Sequence, residues 1–159
     1  MPEKETLERA EEDKREGKAP STQAGEFVRE EIDHVREGKH GARSTKQAIA
    51  IGLSKARRAG IDLPPPAKAK ASTKTRKQAA RDVSKGKSAT KGKKSAKRSR
   101  ATSKALKREG HRAASKTALS RHARSVAAKR SAASRSRSAK KGGEDTEEII
   151  FRNLIPQTG

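Results

Sequence analysis

Apolar side chains are sparse along this chain, and they recur at helical spacing in only a few places. The clearest series is Ala24, Val28, Ile32 and Val35, whose 4, 4, 3 spacing traces one helix face with Phe27 beside it. Pro20, Ser21 and Thr22 open this segment, and Gly38 and Gly41 stop it. Glu26, Glu30, Asp33 and Glu37 are expected to point away from the apolar face. A second face follows at Ala48, Ile49, Gly52, Leu53 and Ala56, broadened by Ile51. Ser44 fits its N-cap, and Gln47 completes a capping box. Arg57 and Arg58 occupy its last turn, with Gly60 just past the end. The two segments read as a helical hairpin. The small residues of the second would let the Phe27/Val28 face approach closely.

Upstream, residues 3–16 are dense in Glu, Lys and Arg, with Leu7 the one large apolar residue, and predict a solvated helix ending near Gly17. Residues 1–63 hold about ten large apolar side chains, a thin supply for a domain folding alone. A homodimer through these helices would add burial. Pro64, Pro65 and Pro66 end the region, because three prolines favour a stiff extended spacer. Residues 64–98 are Ala/Lys/Ser/Arg low complexity and are expected to be disordered, apart from a transient helix over Thr75 to Val83. Residues 99–130 carry weaker signals for a helical pair. One helix runs from Thr102 to Glu109 and stops at Gly110; the other is capped by Ser115, with Ala118/Leu119, His122/Ala123 and Val126 at helical spacing. Residues 131–159 read as a flexible tail with an acidic cluster and an apolar tip, Ile149 to Pro156. The fold class is therefore mostly α with extensive disorder. A small N-terminal helical hairpin or three-helix unit precedes a basic arm and a second, weak helical pair.

Composition explains why the apolar pattern fades. Leu, Ile, Val and Phe make up about 12% of the 159 residues, and Trp, Tyr and Cys are absent. A chain with so little apolar material and high net charge struggles to offset its ordering entropy. The charge is also segregated. Residues 64–141 hold 27 Lys/Arg against two acids, Asp82 and Glu109, whereas residues 1–63 hold 13 of each sign. The overall net charge is +22. Such a block repels itself unless a polyanion neutralises it. Without cysteine there is no disulfide, thiolate metal site or cysteine nucleophile. The first residues lack the apolar stretch of a signal peptide, and no run approaches a membrane span. The expected location is cytoplasmic, at the nucleoid, with no membrane partner.

Residues 42–57, from Ala42 through Ser44, Lys46, Ile49 and Leu53 to Arg57, resemble the signature of a family of short, basic, uncharacterised bacterial and phage proteins. In that family a KQAIAI-small-LS-x-AR helix follows a REGKHG-like turn, here Arg36 to Gly41. The resemblance is closest over 36–57, looser over 99–130, and implies no particular activity. The basic segment is similar in composition to linker-histone tails and bacterial histone-like arms.

No catalytic constellation, cofactor motif or metal motif emerges. His34, His40, His111 and His122 include no i,i+4 pair, and Gly38-Lys39-His40-Gly41 lacks the strand and spacing of a phosphate loop. The acids of residues 3–37 read as solvated helix-surface charge, and no serine sits in a nucleophile elbow. An enzyme is not expected, because a water-excluding pocket needs more apolar material. The basic residues do have a mechanism: they neutralise phosphates and release condensed counterions without reading sequence. The candidates are Arg57, Arg58, Lys74, Arg76, Lys77, Lys93, Lys94, Lys97, Arg98 and Arg100, then Lys107, Arg108, Arg112, Arg121, Arg124, Lys129, Arg130, Arg135 and Arg137. Scarce aromatics leave no stacking platform for single strands, so duplex DNA is favoured over RNA. The alternating Ser134 to Ser138 patch suits RNA as well. The expected function is a sequence-independent, nucleoid-associated architectural DNA-binding protein. The alternatives are an RNA- or ribosome-associated basic protein, or a phage or stress accessory protein whose helical domain binds a protein.

Overall fold

The computed structural model describes residues 2–88, 95–134, 136 and 140. Among these the secondary structure is helical, without strands. The helices are α1 (Lys4–Arg15), α2 (Pro20–Arg36), α3 (Thr45–Ala59), α4 (Thr73–Lys87), α5 (Ala96–Lys107) and α6 (Lys116–Ala128). A short 3-10 turn, Arg112–Ala114, lies between the last two. None of these helices is long and apolar enough to cross a membrane. Among the described residues, those up to Leu119 form one compact unit and those from Ser120 onward belong to a second.

Local chemistry sets the helix ends. Ser44 Oγ accepts from the Gln47 N–H at 3.2 Å, as the capping box predicts. The reciprocal arm lands one residue earlier: Gln47 Oε1 accepts from the Arg43 N–H at 2.8 Å. Gly60, at φ 101°, closes α3 in the left-handed region that glycine enters without penalty. Ser72, Ser95 and Ser115 likewise cap α4, α5 and α6 through backbone N–H groups three residues on.

Two small apolar clusters hold the first unit together. In one, Ala10 of α1, Ala24 and Phe27 of α2, and Ala56 of α3 meet, flanked by Leu7, Leu53, Ile61 and Leu63. Leu53 therefore packs in the Phe27 cluster. In the other, Ile32 and Val35 of α2 meet Ala42, Ala48 of α3 and Ala113–Ala114 of the 3-10 turn, with Val28 and Leu119 alongside. Small residues bring the backbones together, as expected for α3. A methyl on Gly52 would stand 2.7 Å from the Val28 Cα, nearer than side chains pack.

Three expectations change. The helix over residues 3–16 is more than solvated: α1 packs on α2 and buries Thr6, Ala10 and Asp13. The stretch 64–98 contains a full helix, α4, longer than the transient Thr75–Val83 turn and packed against α3. Its register was hidden because it buries one alanine and one acid, Ala79 and Asp82, in place of large apolar groups. Gly86 sits so close to the Arg57 carbonyl that any side chain there would collide with it. Finally, α5 starts six residues before Thr102, at Ala96, capped by Ser95. The apolar tip Ile149–Pro156 lies outside the described residues.

Candidate nucleic-acid interface

Three of the N-terminal acids, Asp13, Glu30 and Glu31, are buried in the fold, while Glu5, Glu8, Glu11, Glu12, Glu16 and Glu37 stay on the surface. α2 turns Glu30 and Glu31 inward, 4% and 0% exposed, so the reading of these acids as solvated surface charge is corrected. The reason is that α2 is covered by both α1 and α3, which leaves it two buried sides. Lys55 of α3 answers both carboxylates, with Nζ 2.9 Å from Glu30 Oε1 and 2.7 Å from Glu31 Oε2. Burial alone would lower the Lys55 pKa, but its bonds to Glu30 and Glu31 outweigh that and hold it above the usual lysine value. Burial pushes Glu30 up, and the Lys55 ammonium and the Glu3 N–H overcome it, leaving the carboxyl below its ordinary value. Glu3 Oε1 sits 2.9 Å from His34 Nε2 and 3.0 Å from Lys39 Nζ. The His34 bond first, then Lys39, brings its pKa down to about 2. Arg9 Nε stands 2.8 Å from Glu26, and Lys18 2.8 Å from Asp13.

The basic half is arranged in the opposite way. On α4, Ala79 and Asp82 are buried while Lys74, Lys77, Arg81 and Lys85 are all exposed. Their 3, 4, 4 spacing sets them in one row along the helix. Asp82 is taken up by Arg58 Nε at 3.3 Å and Gln78 Nε2 at 3.2 Å, and Glu109 by Arg43 at 3.2 Å. The two acids of the basic segment are thus answered, and among the described residues none of the four cations in the α4 row has an ion-pair partner. On α5, Lys97, Arg98, Arg100, Lys104 and Lys107 are exposed, as is Arg108 at its C-cap, and this helix buries no residue.

The individual candidates separate. Lys74, Lys77, Lys97, Arg98, Arg100, Lys107, Arg108, Arg112, Arg121, Arg124 and Lys129 are exposed. Arg130 is exposed and reaches the Ser134 carbonyl at 3.4 Å. Arg76 is half-buried and bonds the Pro66 carbonyl at 3.2 Å. Arg58 faces Asp82. Arg57 is corrected: it is 8% exposed and donates to the carbonyls of Leu63 at 3.1 Å and Pro64 at 3.3 Å. Burial lowers its pKa, and it pins the chain leaving α3 instead of meeting solvent. Lys93, Lys94, Arg135 and Arg137 lie outside the described residues. Arg81, Lys85 and Lys104 were missed as candidates; the helical spacing from Lys74 and from Lys97 was the available signal. Phe27 is fully buried, so it offers no face for stacking a base.

Spacing along the chain also concealed one cluster. Glu31 and His34 stand three apart on α2, and the turn after α2 returns His40 to the same place. One ligand atom from each of the three lies within 4.8 Å of the others.

Residues 17–68, about a third of the chain, match a family of unknown function, DUF6496. The match spans α2, α3 and the proline spacer, in agreement with the likeness to an uncharacterised family. No curated protein and no solved structure gives a match.

Proposed function

We propose that the protein is a sequence-independent binder of duplex DNA, a nucleoid-associated architectural protein whose α4–α6 cations neutralise phosphates. The observation that carries this reading is the partitioning of charge. The buried acids Glu30, Glu31 and Asp82 pair within the fold with Lys55 and Arg58, while the cations of α4 and α5 stand exposed, four of them in a row at helical spacing. Helical backbones give these charges a fixed spacing, so part of the ordering cost of phosphate binding is met in the free protein. No base-reading element is needed, because phosphate contacts carry affinity without sequence. The buried Phe27 supports duplex over single-stranded partners.

Gel shifts of the full chain against unrelated duplexes across a salt series test the proposal. Engaging about six phosphates would weaken binding on the order of a thousandfold between roughly 50 and 200 mM salt. A shallow slope or strong preference for one sequence would refute the DNA-coating reading. Tighter binding to structured RNA would move the protein to the RNA-associated class.

A further inference from the structure

The buried ionic cluster has a feature that charge pairing leaves over. Glu31 is completely buried: Lys55 takes up its Oε2, and its Oε1 accepts no hydrogen bond. Lys55 Nζ faces Oε2 as an ion pair at 2.7 Å, while Oε1 faces the Nε2 of His40 at 3.3 Å. The other His40 nitrogen, Nδ1, lies 3.1 Å from the Gly41 carbonyl oxygen. A neutral imidazole has one N–H to give. With that N–H on Gly41, a lone pair of Nε2 points at the carboxylate. His34 repeats the pattern: Nε2 lies 2.9 Å from Glu3 Oε1, which leaves Nδ1 on the side of Glu30, 3.9 Å from its Oε1. Each ring thus has one nitrogen held by an outer oxygen and the other turned inward, the way metal-ligating histidines are oriented.

We propose that Glu31, His34 and His40 form a binding site for a divalent transition metal ion of the zinc type. His34 Nδ1, His40 Nε2 and one Glu31 oxygen are the protein ligands, and water completes a four-coordinate shell. Two imidazoles select this class over Mg2+ and Ca2+, which take oxygen shells. The charge balance suits a cation, since among the described residues the carboxylates of Glu3, Glu30 and Glu31 face two ammonium groups, Lys39 and Lys55, besides the two imidazoles. The site fastens the turn after α2 back onto α2. That turn is also the seat of the basic half. The Gly41 and Ala42 N–H groups donate to the Leu106 and Gly110 carbonyls at 2.9 and 3.1 Å, and Arg43 pairs with Glu109. Metal binding would therefore steady the end of α5. The site stands independently of the DNA reading.

The test is titration of the full-length, metal-free chain with Zn2+, followed by calorimetry and by ring-nitrogen NMR of the histidines. One ion should bind per chain, shifting His34 Nδ1 and His40 Nε2. Glu3→Gln, which removes only an outer partner, should weaken binding about ten- to a hundredfold. His40→Ala should weaken it at least as much, with helicity checked by circular dichroism. If His40→Ala unfolds, the ring-nitrogen shifts of the wild-type chain decide alone. Absence of stoichiometric binding, ligation at His111 or His122 instead, or unchanged affinity in a folded His40→Ala chain would each overturn the proposal.

Discussion

The row on α4 gives the sharpest quantitative test of phosphate neutralisation. Lys74, Lys77, Arg81 and Lys85 are exposed and point away from the face that packs on α3, so replacing all four with Gln should leave the fold intact. Lys and Gln are comparable helix formers, and Asp82 keeps its partners Arg58 and Gln78. At about 1.5 Å per residue the row is about 16 Å long, enough to follow several phosphates along a duplex. If all four touch phosphate, the slope of log K against log salt should flatten by about 3.6, at about 0.9 per contact. Over the fourfold range from roughly 50 to 200 mM, the ratio of wild-type to variant affinity should then shrink by about 150-fold. Fluorescence anisotropy with one labelled duplex at several salt concentrations measures both slopes. A matched control replaces Lys14, Arg15 and Lys46, all exposed on the N-terminal helices, and should move the slope by less than about 1. Equal slopes for wild type and the α4 variant, with helicity unchanged, would refute the role of this face.

Four further outcomes follow from packing and charge. Gly86→Ala should destabilise by about 1–3 kcal/mol, because the methyl collides with the Arg57 carbonyl; Gly25→Ala, exposed on α2 with open space around it, should stabilise by about 0.5–1 kcal/mol, both read from urea unfolding. Leu53→Asp should cost about 1–3 kcal/mol by placing a charge against Phe27, Ala24 and Ala56, and circular dichroism melting of the full chain would show it. The Lys18 pKa is raised, first by the Asp13 bond and then by Glu16, so its contribution to stability is complete below the ordinary lysine value of 10.5 and is lost only as pH climbs through the higher folded value. In Asp13→Asn, the Lys18 Nζ signal should titrate at lower pH; an unchanged titration would show that the pair contributes nothing.

Legibility in the sequence followed side-chain size. α2 and α3 were readable because Phe27, Ile32 and Val35 mark one face, and Ser44 and Gly60 mark two ends with side chains and backbone freedom specific to those positions. α4 was legible only as a fragment, since an alanine and an aspartate carry its contact with α3, and neither registers as an apolar stripe. The docking of Ala113–Ala114 onto Ile32 and Val35 was invisible for a related reason: two alanines in a lysine- and serine-rich stretch look like low complexity. Glu30 and Glu31 were misplaced because helical periodicity says which residues share a face, not how many faces are covered. The candidate interface was legible as charge, but its division into exposed Lys74 and buried Arg57 needed the path of the chain after α3.

The same shortage of large apolar groups accounts for both the core and the surface. Where a helix pair meets through alanine and glycine, the backbones come close and the contact consumes few side chains. α3 meets α2 through Gly52 and Ala48, α4 meets α3 through Ala79 and Gly86, and the 3-10 turn meets α2 through Ala113 and Ala114. Close approach recovers dispersion contacts that larger residues would otherwise supply. It also leaves most positions on α4 and α5 free of any packing duty, so they can all be polar or cationic at no cost to the core. Long basic side chains there retain their freedom and their hydration. A cationic surface of this density is thus compatible with a folded chain because the residues that pack and the residues that carry charge are almost entirely different ones. Arg57, buried and bonded to Leu63 and Pro64, is the position where the two duties meet, and there packing prevails.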